Sequence, residues 1–139
     1  MGTVASIHWV APSELRPVFD EAVSSFWAGV EDLESIFSAF RETSDICRLS
    51  RGEITLGEAG PRVSAVFEAC GQWRERTGGL FDAWWKGWFD PTGYVKGWAI
   101  ETLAEACLFP LLGYAGSEAV GVGAGGDLWL RTNPGADWT

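Results

Sequence analysis

The feature that most constrains this chain is a long run of apolar residues at three- and four-residue steps. The run extends from Val18 to Phe40 and predicts one amphipathic helix, opened by residues 12–14. Gly29 lies inside this run, where glycine costs about 1 kcal/mol relative to alanine. We attribute its presence to close packing against another element. A helix of this length needs a partner surface for its apolar stripe.

Both ends of the chain have the pattern of a sheet. Alternating residues predict a first strand over Ala5–Val10, and two later strands over Ala119–Gly123 and Leu128–Arg131. Residues 123–127 form a glycine-rich connection between the later two. With 47% hydrophobic residues, the chain has the material for a core.

Two more helices are predicted between the first helix and the later strands. Pro61 suits the first turn of the second helix, which Gly78-Gly79 ends. The third helix covers about 95–108 and is closed by Pro110 and Gly113. The polar segment 41–61 is predicted to be a loop with at most a short turn. The resulting order, β-α-α-α-β-β, favours an α+β fold over a doubly wound sheet, in a single domain of residues 1–139.

Charge excludes one class of function. Ten basic and nineteen acidic residues give a net charge of −9, and only two residues are lysines. Nucleic-acid binding depends on a dense basic surface, which this chain lacks. Small basic clusters remain, which either hold a small anionic ligand or solvate loops: Arg41, Arg48, Arg51, Arg74 and Arg76.

Few residues are suited to nucleophilic or metal chemistry. The single histidine, His8, lies in a predicted strand, which excludes a His-rich metal site and weakens Ser-His and Cys-His mechanisms. The three cysteines are widely spaced and form no metal-ligand pattern. Cys70 and Cys107 lie among apolar residues, where an inert buried thiol is the simpler interpretation.

The stretch Asp90–Trp98 is the most informative motif. A tight turn leads directly into a helix, whose first N–H groups attract anions. Gly93 and Gly97 allow close approach to the backbone, and Lys96 adds positive charge. The motif therefore predicts a phosphate site or, alternatively, an ordinary capped turn with a solvated lysine.

An aromatic cluster, Trp84–Phe89, precedes this motif. Its rings are suited to stack on a planar ligand such as a base or a flavin, or to close the edge of a core or a partner interface. Asp82 and Asp90 flank the cluster. Either the two carboxylates share one site, because the intervening glycine lets the loop fold back, or they cap local turns.

Five sequence blocks follow one another in order: Met1–Thr3, Ser38–Leu49 with a gap at 42–43, Thr77–Asp82, Asp90–Glu101 and Ala124–Asp127. This series resembles the FAD:protein FMN transferases of the ApbE family. The resemblance extends along nearly the whole chain, and the block around Lys96 is its most specific part.

The resemblance implies an activity and a set of roles. Members cleave FAD with Mg²⁺, release AMP and attach FMN to a Thr or Ser of a target flavoprotein. By similarity, FAD would be contacted by Met1, Phe40, Leu80, Phe81, Asp82, Asp90 and Lys96. Lys96 would also balance charge as the phosphoanhydride breaks, and the Gly93 carbonyl would ligate Mg²⁺.

The chain also departs from the family pattern. Phe40 stands where members usually have Tyr, and so provides a ring without a hydroxyl. The resemblance covers the N-terminal half of a member, so the other metal ligands are expected to be missing. The sheet would then have unpaired edges, which favour self-association or a complementary chain. A non-catalytic flavin-binding module and an inactive fragment are the alternative functions.

Localisation stays open. The first residues lack the basic region of a secretory signal, so the chain as written is expected in the cytoplasm. Many members of the family are, in contrast, exported or associated with a membrane.

Overall fold

The computed structural model describes residues 4–136 as an α+β chain that separates into two compact units. Within the described residues, one unit comprises 31–96 and the other comprises 4–30 and 97–136. No described helix is both long enough and apolar enough to span a bilayer.

The unit of residues 4–30 and 97–136 contains the sheet. Its strands are β1 (Ala5–Val10), β2 (Ala119–Ala124) and β3 (Asp127–Thr132). They are antiparallel in the order β1-β2-β3, with Ile7 opposite Val122 and Val122 opposite Trp129. The predicted strands are confirmed, with one or two residues added at the ends of β2 and β3.

One face of this sheet forms the core of the unit. Ile7, Val122 and Trp129 lie on that face because alternate residues of a strand point the same way. They pack with Phe26 of helix α1 (Arg16–Phe37), which is fully buried. The same cluster includes Ile100, Ala104, Leu108 and Val120.

The other face of the sheet remains open. It carries Val10, Leu128 and Leu130, which are 44%, 62% and 37% exposed. In the register, Gly121 of β2 lies between His8 and Leu130, and Ala119 lies between Val10 and Thr132. Among the described strands, β1 and β3 each have one edge without a neighbouring strand. This face therefore exposes apolar side chains beside the polar ones of Ser6, His8 and Thr132.

The position of Gly29 is explained by helix packing. A Cβ atom at Gly29 would lie 2.3 Å from Cδ2 of Leu103, in helix α4 (Thr92–Leu103). The close packing predicted from the sequence is thus present. Residues 104–108 continue α4 as a π-helical segment, followed by a 3₁₀ turn over Phe109–Gly113.

The unit of residues 31–96 is helical. Helix α3 (Pro61–Arg76) begins with proline and ends before Gly78 and Gly79, whose φ angles of 61° and 86° suit glycine. The sequence predicted these limits. A short helix, α2 (Asp45–Ser50), forms where the sequence predicted at most a short turn near Ile46-Cys47.

A serine explains why α2 forms. The buried Ser44 hydroxyl accepts from the Cys47 N–H at 3.1 Å, as an N-cap does, and donates to the Ser38 carbonyl at 2.6 Å. Ser38 also ends α1 early, because its hydroxyl accepts from the N–H groups of Phe40 and Arg41. The first helix therefore ends at Phe37, and Phe40 lies in the following loop.

Candidate functional site

A cavity of about 460 Å³ lies within residues 31–96 and gathers residues far apart in the sequence. Its volume falls in the range of about 300–1,000 Å³ that is usual for small-molecule sites. The described lining residues come from the loop after α1, from the segment 80–90 and from the start of α4: Ala39, Phe40, Leu80, Phe81, Asp82, Trp85, Lys86, Trp88, Asp90, Thr92 and Gly93.

Three large apolar side chains of this wall face solvent. Phe40 is 91% exposed, Leu80 94% and Trp85 70%. Soluble chains rarely leave such side chains grouped on the surface without a function. Phe81 completes the wall from behind, since a Cβ at Gly93 would lie 3.5 Å from its ring. The wall is thus suited to a flat apolar ligand.

A tight turn presents Trp85 and Lys86 to the cavity. The N–H of Gly87 donates to the Trp84 carbonyl at 2.8 Å, which places Trp85 and Lys86 at the two corner positions. Gly87 has φ of 83°, a conformation that glycine adopts without strain. The turn is packed from below by Phe67, Trp84 and Phe89, whose ring centroids are 4.9–5.3 Å apart.

Asp90 is the most buried charged residue of the wall, with 5% of its side chain exposed. Its Oδ2 accepts from the Lys86 ammonium at 2.6 Å. Its Oδ1 accepts from the Thr92 N–H at 3.1 Å and from the Thr92 hydroxyl. Asp90 therefore bonds to the first turn of α4, which is the capped-turn alternative for this motif.

Asp90 makes stability sensitive to acid. Burial raises the pKa of this carboxyl, but the hydrogen bonds from Lys86 and Thr92 outweigh burial, and the net pKa lies below its ordinary value. A carboxyl with a lowered folded-state pKa stabilises the fold above about pH 4, and this contribution disappears as the pH falls through the folded-state pKa. Asp90→Asn is therefore expected to lower the free energy of unfolding at neutral pH and to flatten its decline in acid.

Urea unfolding over a series of pH values measures this effect. Asp20→Asn is the matched control, because Asp20 is exposed and pairs with Arg16 on its own helix. The control is expected to keep the parent's acid profile. An unchanged profile for Asp90→Asn would contradict the role given to Asp90.

Asp82, the second carboxylate of the wall, is also held in place. Its Oδ1 accepts from the Trp84 N–H at 2.9 Å, and its Oδ2 lies 3.3 Å from Arg74 Nη2. Asp82 and Asp90 thus line one cavity, as one reading of their spacing predicted, but each is paired with a cation. Among residues 4–136, no three His, Cys, Asp or Glu side chains group as a metal site would require.

The remaining predicted site residues lie as follows. Lys96 is half-buried in the second turn of α4 and is not among the described residues of the cavity wall. Gly93 lies in the first turn of α4 and does line the wall. Met1 lies outside the described residues. The roles implied for these three residues stay predictions.

Three arginines of the basic clusters are paired with acidic groups. Arg41 bonds to Glu31 at 2.9 Å, Arg48 to Asp45 at 3.3 Å and Arg51 to Glu53 at 2.6 Å. These arrangements agree with the interpretation as solvated loop residues. Burial raises the pKa of Cys70 to about 11, which agrees with an inert thiol.

Comparison with models of protein families shows which family this chain belongs to. The model of the ApbE family matches residues 1–88, more than half of the chain. This chain belongs to the ApbE family. Comparisons with curated proteins and with solved structures yield no match. The match includes Phe40, Leu80 and Asp82, whereas the resemblance of the blocks from Asp90 onward lies beyond it.

Sequence reasoning missed Lys86. It is one of only two lysines, and it lies four residues before Asp90 inside an aromatic cluster. The four-residue spacing of Lys86 and Asp90 was the available signal. A pair at this spacing is expected on a helix, whereas here it forms across a loop turn.

Proposed function

We propose that this ApbE-family chain binds FAD in the cavity of residues 31–96 and acts as an FAD:protein FMN transferase. The reaction would cleave FAD in a Mg²⁺-dependent step, release AMP and place FMN on a Thr or Ser of a target flavoprotein. The observation that carries the proposal is the convergence of Phe40, Leu80 and Trp85 on one cavity in a member of this family.

The cavity suits a flavin for physical reasons. A flavin has a planar ring system, and aromatic side chains stack on such rings with offset or edge contacts. Phe40 and Trp85 offer large exposed rings, and Leu80 offers an apolar edge. The side chains of Asp82, Lys86 and Thr92 add polar groups at the rim, as pockets with oriented ligands require.

The described residues do not form a Mg²⁺ site. Mg²⁺ prefers several oxygen ligands, whereas Asp82 and Asp90 are already engaged with Arg74, Lys86 and Thr92. The metal-dependent chemistry is therefore assigned to none of them. The same observation favours a second candidate function, a flavin-binding module that does not cleave FAD.

A titration of the purified chain with FAD, with and without Mg²⁺, tests both candidates. Flavin fluorescence reports binding, and analysis of the nucleotides reports AMP and FMN. Saturable quenching with Mg²⁺-dependent AMP release supports the transferase, and saturable quenching without AMP supports the binding module. A folded chain that leaves flavin fluorescence unchanged would contradict both.

A further inference from the structure

Lys86 contacts one carboxylate and two indole rings. Its ammonium lies 2.6 Å from Asp90 Oδ2, 5.0 Å from the ring centroid of Trp85 and 5.5 Å from that of Trp88. A lysine over an indole face is attracted by the negative potential of the ring. Lys86 thus connects a buried carboxylate with two aromatic rings of the cavity wall.

The carboxylate is a fixed anchor. Asp90 is 5% exposed at its side chain and bonds to Thr92 through its other oxygen. Its own N–H donates to the Ala83 carbonyl at 2.7 Å, which closes the segment 83–90. Because Asp90 is held from both sides, the ammonium of Lys86 is held as well.

The ring of Trp85, in contrast, has no comparable support from the described residues. Trp85 is at a corner of the Trp84–Gly87 turn and is 70% exposed. Trp84, its neighbour, is held by packing against Phe67 and Phe89, and Arg74 lies 5.9 Å from its ring centroid. An exposed tryptophan at a turn would sample several rotamers unless something fixed it. Lys86 covers part of the ring and leaves the rest to solvent.

We propose that Lys86 is a positioning residue that orients Trp85 as the stacking surface for the flavin ring. This inference rests on the proposed binding of a flavin in the cavity. Lys86 acts through Trp85. Removing the Lys86 ammonium should therefore weaken the binding of every flavin that stacks on Trp85, with or without a phosphate group.

Order at Trp85 is the first measurement. In the ligand-free chain, ¹⁵N relaxation of the Trp85 indole N–H, assigned by Trp85→Phe, reports how firmly the ring is held. Lys86→Met keeps the length of the side chain and removes its charge, and we expect it to make the ring mobile. Lys86→Arg keeps the charge and should restore order. An equally ordered ring in Lys86→Met would overturn the inference, whether or not a flavin binds.

Flavin affinity is the second measurement, with riboflavin and FMN as probes. Lys86→Met should lower the affinity for riboflavin and for FMN by the same factor, about three- to tenfold, which corresponds to losing a cation–π contact. In a Trp85→Ala background it should have no further effect, because the residue it positions is gone. Loss of affinity for FMN alone, or an additive loss in that background, would overturn the inference and indicate direct contact with phosphate.

The two measurements separate the inference from the proposed function. If the parent chain binds neither riboflavin nor FMN, the cavity is not a flavin site. Trp85 then has no flavin to stack on. The relaxation experiment would still decide whether Lys86 holds the ring.

Discussion

Replacing Phe26 by alanine is expected to lower the free energy of unfolding by about 3–5 kcal/mol. Phe26 is 0% exposed and packs in the cluster that includes Leu108 and Val122. Its removal loses apolar burial and leaves a cavity that the sheet cannot fill. Since domains are stable by only about 5–15 kcal/mol, this one substitution should bring the chain close to unfolding.

Urea unfolding followed by far-ultraviolet circular dichroism measures the loss. Trp27→Ala is the matched control, because Trp27 is the next residue of the same helix and is 43% exposed. It contacts Phe26 edge-on, with ring centroids 5.6 Å apart, so a smaller loss is expected. Equal losses for the two variants would contradict the central position of Phe26.

Replacing Trp85 by alanine is expected to lower the affinity for FAD about 5- to 150-fold, since stacking on an aromatic side chain contributes about 1–3 kcal/mol. The fold should tolerate the change, because Trp85 is 70% exposed and the turn is supported by Trp84 and Phe89. Fluorescence titration with FAD measures the affinity, and thermal unfolding shows that stability is retained.

Trp73→Ala is the matched control for this prediction. Trp73 is a tryptophan of the same unit, 45% exposed, with Arg76 lying 5.7 Å from its ring centroid. It is not among the described residues of the cavity wall. The control should bind FAD as the parent does, and identical affinities for all three proteins would refute stacking on Trp85.

Much of the secondary structure was predictable because its signals are local. The alternation of β1 and the proline and glycines around α3 define those elements within a few residues. Helix α2 was missed because its six residues form through the Ser44 cap inside a polar segment. Helix α4 begins at Thr92 rather than near Val95, because Asp90 bonds to the N–H of Thr92.

The candidate site was predictable in composition but not in arrangement. The family resemblance pointed to Phe40, Leu80 and Asp82, and the structure places all three around one cavity. Neither periodicity nor a motif predicts that Lys86 reaches Asp90 and lies over Trp85, since this depends on the turn at Gly87. Tertiary contacts within a loop carry no sequence period, so their geometry came only from the structure.

The open face of the sheet has a consequence for colloidal behaviour. Val10, Leu128 and Leu130 expose apolar surface on that face, so protection against association depends on repulsion from the net charge of −9. This charge vanishes near the isoelectric point of 4.5, above the pH at which Asp90 takes up its proton. On acidification the chain therefore loses its protection against precipitation before it loses the bonds of Asp90. In acid, association between copies therefore limits the chain before unfolding does.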